Sequence, residues 1–284
     1  MAYRFFFVSL SFIIVFEMYG QVKRAIVIGL GQQADNNWGK INGDKDVPFI
    51  LNTLRDAGYQ RENIVTLINS QATKKNIVLA LEGIVKRSQK KDIVYIHFSG
   101  HGQRVTDING DEEDGWDEAW IPYDAYREYC DRDKGEKHMI DDEIYQFLKM
   151  IKKKVGKDGK ILVTVDACHG GGSTFRMKTY NYGSHITIRG VPDNFVIPGK
   201  RSPKKNKKPE DWLTLSACKS HQYNQEMKIP RVGILTYALY SLSRKGSIKM
   251  EDIEDFINKN KGPFQQTPIL TGEVDKYTIS DVLK

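Results

Sequence analysis

Residues 161–173, ILVTVDACHGGGS, carry an apolar run straight into a thiol, an imidazole and three glycines. Leu162, Val163 and Val165 make that run short and rich in β-branched residues, which fits a strand buried on both faces of a parallel sheet. Gly170, Gly171 and Gly172 mark a place where the backbone turns tightly or approaches a ligand. Cys168 then stands at the carboxyl end of its strand, the edge at which open α/β sheets bind ligands. A thiol there is placed as a nucleophile, although a lone cysteine at a strand end is as often an inert core residue.

A second stretch bears on that choice. Residues 92–98, DIVYIHF, are another apolar strand, followed by Ser99, Gly100, His101 and Gly102. Parallel strands of one sheet end on the same edge, so His101 and Cys168 can meet across it, and a base beside a thiol is the arrangement for nucleophilic catalysis. His97 falls inside its strand and reads as core, whereas His138, His185 and His221 fall in loops and read as surface residues.

Residues 1–20 are set apart from the fold. Arg4 precedes the apolar run Phe5–Phe16, which has the proportions of a secretory h-region and is too short to span a bilayer. The expectation is a signal peptide cut near Gly20 and a secreted or periplasmic protein, with an uncleaved membrane anchor as the alternative and no membrane span once the signal is removed. Three cysteines, Cys130, Cys168 and Cys218, are too few for a disulfide framework, and whether Cys130 and Cys218 pair is left open by the sequence. The net charge of +7 is concentrated in one block containing Lys200, Arg201, Lys204, Lys205, Lys207 and Lys208. No aromatic residues interleave with these lysines, so the block reads as a solvated loop open to trypsin-like cleavage, and no nucleic-acid partner is expected.

Taken in order, residues 25–29, 63–68, 92–98, 161–166 and 212–217 read as strands. Residues 47–57, 76–85 with Thr73 as cap, 140–151, 233–242 and 251–258 carry helical spacing. This alternation gives βαβ units and a mostly parallel central sheet flanked by helices. Between them, residues 107–118 form an acidic loop, and Glu112 at the position where an EF-hand needs glycine argues against that motif. Asp141 suits a helix N-cap, residues 174–211 form a long polar loop, and Pro268 places residues 266–270 at an edge or in a loop.

Five segments in this order, YIHFSGHGQ, GDEEDGWDE, IDDEI, VDACHGGG and LSACKSHQ, resemble the metacaspases over most of residues 23–245. That resemblance implies a caspase-haemoglobinase fold and a cysteine endopeptidase with His101 and Cys168 as its dyad. It further implies backbone amides of Gly102 and Cys168 as oxyanion donors, and Asp46, Ser99 and Asp166 as a pocket for Arg or Lys before the cut. Strand alternation independently places Asp166 on the same side as Cys168, and Ser99 on the same side as His101. The family's calcium ligands match Asp117, Asp141 and Asp142, while Phe175 stands where a fourth acid is expected. The expected layout is a signal peptide over 1–20 and a caspase-like peptidase domain over 21–284. The domain divides into a large-subunit-like part (21–175), a basic processing loop (176–210) and a small-subunit-like part (211–284). Arg176, Lys178, Lys200 and Arg201 are the candidate processing sites, polypeptides with a basic residue before the cut are the expected partners, and a monomer is the expected state. Rival readings are a catalytically silent scaffold on the same fold, or a peptidase or transpeptidase of clostripain or gingipain type.

Overall fold

The computed structural model describes residues 20–110, 112–168, 186–191, 193–199 and 210–284. The chain enters as β1 (Lys23–Gly29), α1 (Val47–Asp56), β2 (Ile64–Ile68), α2 (Lys74–Arg87) and β3 (Ile93–Ser99). A hairpin, β4 (Gly102–Thr106) and β5 (Trp116–Trp120), follows, then β6 (Met139–Ile140), α3 (Asp141–Val155) and β7 (Lys160–Asp166). The remainder holds β8 (Leu213–Ser216), α4 (Ile234–Ser243), α5 (Met250–Asn260), β9 (Ile269–Gly272) and α6 (Ser280–Leu283).

The main sheet has the order β2-β1-β3-β7-β8-β9, parallel throughout except for β9, which runs antiparallel along β8 at the edge. Successive side chains of a strand point to opposite faces, so each central strand feeds two cores. On one face Ala25, Val27, Tyr95, Leu162 and Leu215 pack with Ile50 and Leu54 of α1 and with the apolar sides of α4 and α5. On the other, Ile26, Ile28, Ile96, Phe98, Val163 and Val165 pack with Leu81 and Ile84 of α2 and Leu148 and Ile151 of α3. Both faces are covered, which is why β1, β3 and β7 read as near-continuous apolar runs. No helix among the described residues is long and apolar enough to cross a membrane.

Several expectations change. The acidic loop is shorter than its composition suggests, because Trp116–Trp120 pairs antiparallel with Gly102–Thr106 in a second, three-stranded sheet with β6. Asp141 is the first residue of α3 rather than its cap, a place taken by Ile140 with no side-chain cap bond. Thr73 does cap α2, its hydroxyl accepting from the Asn76 amide at 3.3 Å. His138 is fully buried against Phe195 and beside Asp133, not a surface residue. The long polar loop also returns to the body: Phe195 is buried and pairs with Val105, and Arg189 is buried without exposure. None of the three cysteines is in a disulfide. The leader, His185, and the basic residues Arg176, Lys178, Lys200 and Arg201 lie outside the described residues.

Candidate active site

The register of the two central strands fixes the site. β3 and β7 pair with Ser99 opposite Asp166, and His101 and Cys168 each lie two positions beyond that pair, at the carboxyl edge of the sheet. Both are buried, at 2% and 1% exposure. The His101 ring lies against Trp38, with centroids 5.1 Å apart, and its Nε2 is 2.7 Å from the Gly39 carbonyl oxygen. A carbonyl only accepts, so Nε2 carries the proton and Nδ1 keeps the lone pair. That Nδ1 is buried and makes no hydrogen bond among the described residues, which leaves it able to accept a proton. Burial pushes the His101 pKa down to about 4, opposed by the Gly39 bond, so the ring is neutral at neutral pH.

The Cys168 thiol donates to the Gln222 carbonyl at 2.8 Å. Cys218 lies beside it. Its hydrogen bond with Cys168, together with burial, raises the Cys218 pKa well above the usual thiol value, so Cys218 stays protonated. The Ile121 amide donates to the His101 carbonyl, which makes those two residues the hydrogen-bonded pair of the β4–β5 ladder. By antiparallel alternation the Gly102 amide then faces away from β5.

Beneath this edge lies an acidic pocket, and it is occupied by a residue of the chain itself. Asp46 ends a short 3₁₀ turn (Gly43–Asp46), Ser99 ends β3, and Asp166 ends β7. The Arg189 guanidinium reaches all three: Nη1 is 2.6 Å and Nη2 3.2 Å from the Asp46 carboxylate, while Nη1 is 2.7 Å from Ser99 Oγ and 3.3 Å from Asp166 Oδ1. Its Nε donates to Glu226 Oε1 at 3.0 Å. Burial opposes a charge here, yet Asp46, Asp166 and Glu226 outweigh it and raise the guanidinium pKa above its ordinary value.

The amino end of α4 supports the acids. The Gly233 amide donates to Asp46 at 2.9 Å, and the Thr236 amide and hydroxyl donate to Asp166 at 2.8 and 2.6 Å. Asn224 Nδ2 donates to the other Asp166 oxygen at 2.7 Å. Amides at a helix's amino end, with its dipole, make this a favourable seat for two carboxylates. Below them His97, bonded to Thr164 at 2.7 Å, has its pKa lowered to about 4 by burial and adds no charge of its own.

The three pocket residues expected from the resemblance therefore come together, and Glu226, Asn224, Gly233 and Thr236 join them from the second half of the chain. No motif announces those four. Their common origin is the approach of residues 224–236 to the ends of β3 and β7.

The acids expected for calcium are brought near one another by a different ladder. β5 and β6 pair with Ala119 opposite Ile140, so Asp117 lies two residues before that pair on β5, while Asp141 and Asp142 follow it directly as the first residues of α3. The Asn109 amide, however, is bonded to Asp142, and Asp107 accepts from the Gly110 and Glu112 amides. Among the described residues no group of three or more His, Cys, Asp or Glu is assembled to hold a metal ion.

The fold and this edge define a caspase-like α/β protein, with a thiol and an imidazole standing over an acidic pocket. The same architecture is found in a protein of Geobacter sulfurreducens (TM-score 0.61, 24% identity, covering 93% of this chain and 97% of the other). It is found also in caspase-1 of Spodoptera frugiperda (TM-score 0.58, 11% identity, 89% and 86%). Residues 23–175 match the metacaspase, peptidase C14 domain, and the chain belongs to that family. Metacaspase-1A of Neurospora crassa is 34% identical over 158 residues, covering 52% of this chain and 32% of the relative. Metacaspase-1B of Aspergillus fumigatus is 35% identical over 158 residues, covering 52% and 35%. The chain therefore spans about a third of the length of these curated relatives.

Proposed function

We propose that this protein is a cysteine endopeptidase that cuts polypeptides after arginine, and less well after lysine. The observation that carries the specificity is the seating of the Arg189 guanidinium on Asp46, Ser99, Asp166 and Glu226. Asp46 engages it through two nitrogens, the bidentate geometry that a planar guanidinium matches and an ammonium does not.

In this reading His101 Nδ1 takes the Cys168 proton, and Sγ attacks the carbonyl carbon of the residue before the cut. The oxyanion is met by the Cys168 amide, with the Gly102 amide as the second donor. The amine leaves with the proton from His101, a thioester remains on Cys168, and water releases it as a carboxylic acid. Because burial favours the neutral His101 ring, its positive charge develops as it takes the thiol proton. Calcium assistance through Asp117, Asp141 and Asp142, export under the leader, and a monomeric working state belong to the proposal as well.

The test is cleavage of fluorogenic peptides ending in Arg, Lys or Asp by the full chain and by Cys168→Ala, with calcium or with chelator. Cleavage after Arg that disappears in Cys168→Ala is expected. Cleavage only after Asp, or equal activity in the variant, would refute the proposal. A rate unaffected by chelator would remove calcium from it.

A further inference from the structure

The three cysteines are not equivalent once the chain has folded. β7 and β8 run parallel with Val165 beside Ser216, and the Ala217 amide donates to the Val165 carbonyl at 2.9 Å. Cys168 and Cys218 each lie two residues past the end of their strand. Neighbouring chains of a sheet are about 4.8 Å apart, within the Cα separation of about 4.4–6.8 Å that a disulfide bridges. The side chains converge as well. Both sulfurs contact one acceptor, the Gln222 carbonyl oxygen, Cys168 Sγ at 2.8 Å and Cys218 Sγ at 3.6 Å. Cys218 Sγ also lies 3.9 Å from the carbonyl oxygen of Ala167, the residue before Cys168, and the two thiols are hydrogen-bonded to each other. Cys130, by contrast, is held in a turn by the backbone bridge to Asp133. Peptide cleavage asks for a base and for oxyanion donors beside the nucleophile, and no step of it uses a second thiol there.

We propose that Cys168 and Cys218 are a redox pair: on meeting a peroxide they close into a reversible disulfide, which inactivates the nucleophile and shields it from irreversible oxidation. The loss of activity rests on the peptidase reading above; the disulfide itself does not. Cys168 gives its proton to His101, and Sγ attacks one oxygen of the peroxide. The O–O bond breaks, and the departing hydroxide takes the proton from His101 and leaves as water. Cys168 is now a sulfenic acid. Cys218 Sγ attacks Cys168 Sγ, the S–O bond breaks, and the hydroxyl leaves as a second water with the Cys218 proton. Two thiols have lost two electrons to one hydrogen peroxide, giving one disulfide and two waters.

The surroundings fix the order of these steps. The thiolate is the form that attacks a peroxide, and Cys218, which burial and its bond to Cys168 keep protonated, does not compete for the oxidant. A cavity of about 320 Å³ with α3, β7 and β8 among its walls counts Cys218 in its lining, so a small neutral oxidant can approach the pair from the α3 side. Once the sulfenic acid forms, the partner sulfur is already beside it. Without that partner a sulfenic acid continues to sulfinic acid, which thiols do not reduce, whereas a disulfide is opened by thiol exchange.

The experiment treats the purified full chain with hydrogen peroxide, blocks remaining thiols with an alkylating agent, and maps the unreduced digest by mass. Cleavage of the Arg-ended fluorogenic peptide is followed before treatment, after it, and after dithiothreitol. Cys218→Ala and Cys130→Ala are run alongside, each against its own untreated rate. The expected product is a peptide pair joining Cys168 to Cys218, two hydrogens lighter than its reduced parts, in wild type and in Cys130→Ala. Activity is lost with its appearance and returns with dithiothreitol. In Cys218→Ala the same treatment carries Cys168 to sulfinic acid, and dithiothreitol does not restore the rate. Sulfinic acid on Cys168 in wild type with no linked pair would overturn the proposal, as would a bridge from Cys168 to Cys130. Full recovery of treated Cys218→Ala would refute the protective role of Cys218. If that variant does not fold, the wild-type map and its reversal decide. An untreated chain that cuts no peptide would remove the peptidase reading, and the linked pair would still establish or refute the disulfide.

Discussion

Gly233 offers the sharpest perturbation of the pocket. Its backbone φ of −62° suits any residue, so replacing it adds only a methyl group. That methyl would lie 2.1 Å from Asp166 Oδ2 and 2.5 Å from Arg189 Nη1. Asp166 has little room to retreat, because Thr236 and Asn224 hold both of its oxygens. In Gly233→Ala a guanidinium therefore cannot reach its seat, and a substrate forfeits its charge-assisted bonds to Asp46. Two such bonds are worth about 1.5–3 kcal/mol each. Their loss lowers kcat/KM for Arg-ended peptides by roughly 10² to 10⁴, at about 1.4 kcal/mol per tenfold. The assay is kcat/KM on that peptide, with circular dichroism melting as the control for folding. A folded Gly233→Ala enzyme that keeps its kcat/KM within about threefold would refute the pocket geometry as the source of specificity.

Other predictions follow from the same contacts. Glu226→Gln removes the anionic acceptor of the arginine Nε, a nitrogen for which lysine has no counterpart. The Arg-over-Lys ratio of kcat/KM is expected to fall by about tenfold or more, mostly through the arginine substrate; an unchanged ratio would exclude Glu226 from recognition. His97, His101 and His138 are each buried with the pKa lowered to about 4, chiefly by burial. Their unfolded forms bind protons near pH 6.5, so the stability they confer is present above that value and lost as pH falls towards 4. Each is expected to cost on the order of 1–2 kcal/mol at pH 5 relative to pH 7, read as a lower urea midpoint; an equal midpoint at the two pH values would contradict their neutral burial.

Much of the framework could be read from the chain because its strands are buried on both faces. Residues 25–29, 92–98 and 161–166 are apolar at nearly every position, and that pattern survives without knowledge of the neighbours. The β4–β5 hairpin escaped because Gln103, Arg104, Thr106, Asp117 and Glu118 dominate it, and its pairing is set by a partner strand rather than by local hydrophobicity. The pocket divides in the same way. Asp46, Ser99 and Asp166 came from likeness to a family, whereas Glu226, Asn224 and Gly233 converge only after the chain has folded across a long sequence separation. Arg189 falls within residues 174–211, which read from composition as one long polar loop. One local signal was present: Ile186-Thr187-Ile188-Arg189 alternates apolar and polar residues, the pattern of a half-buried strand, in surroundings that are otherwise polar.

The main sheet runs without interruption across the expected processing loop, residues 176–210. β8, which lies beyond it in the chain, pairs along β7, which lies before it, and Leu213 and Leu215 share one core with Val27 and Leu162. A nicked molecule would therefore show two bands on a denaturing gel and migrate as one particle in solution. Its unfolding would nevertheless change order, from an isomerisation of one chain to the dissociation of two, and its melting temperature would acquire a dependence on protein concentration that the intact chain lacks. Dilution would then limit the lifetime of the processed form, with no inhibitor required.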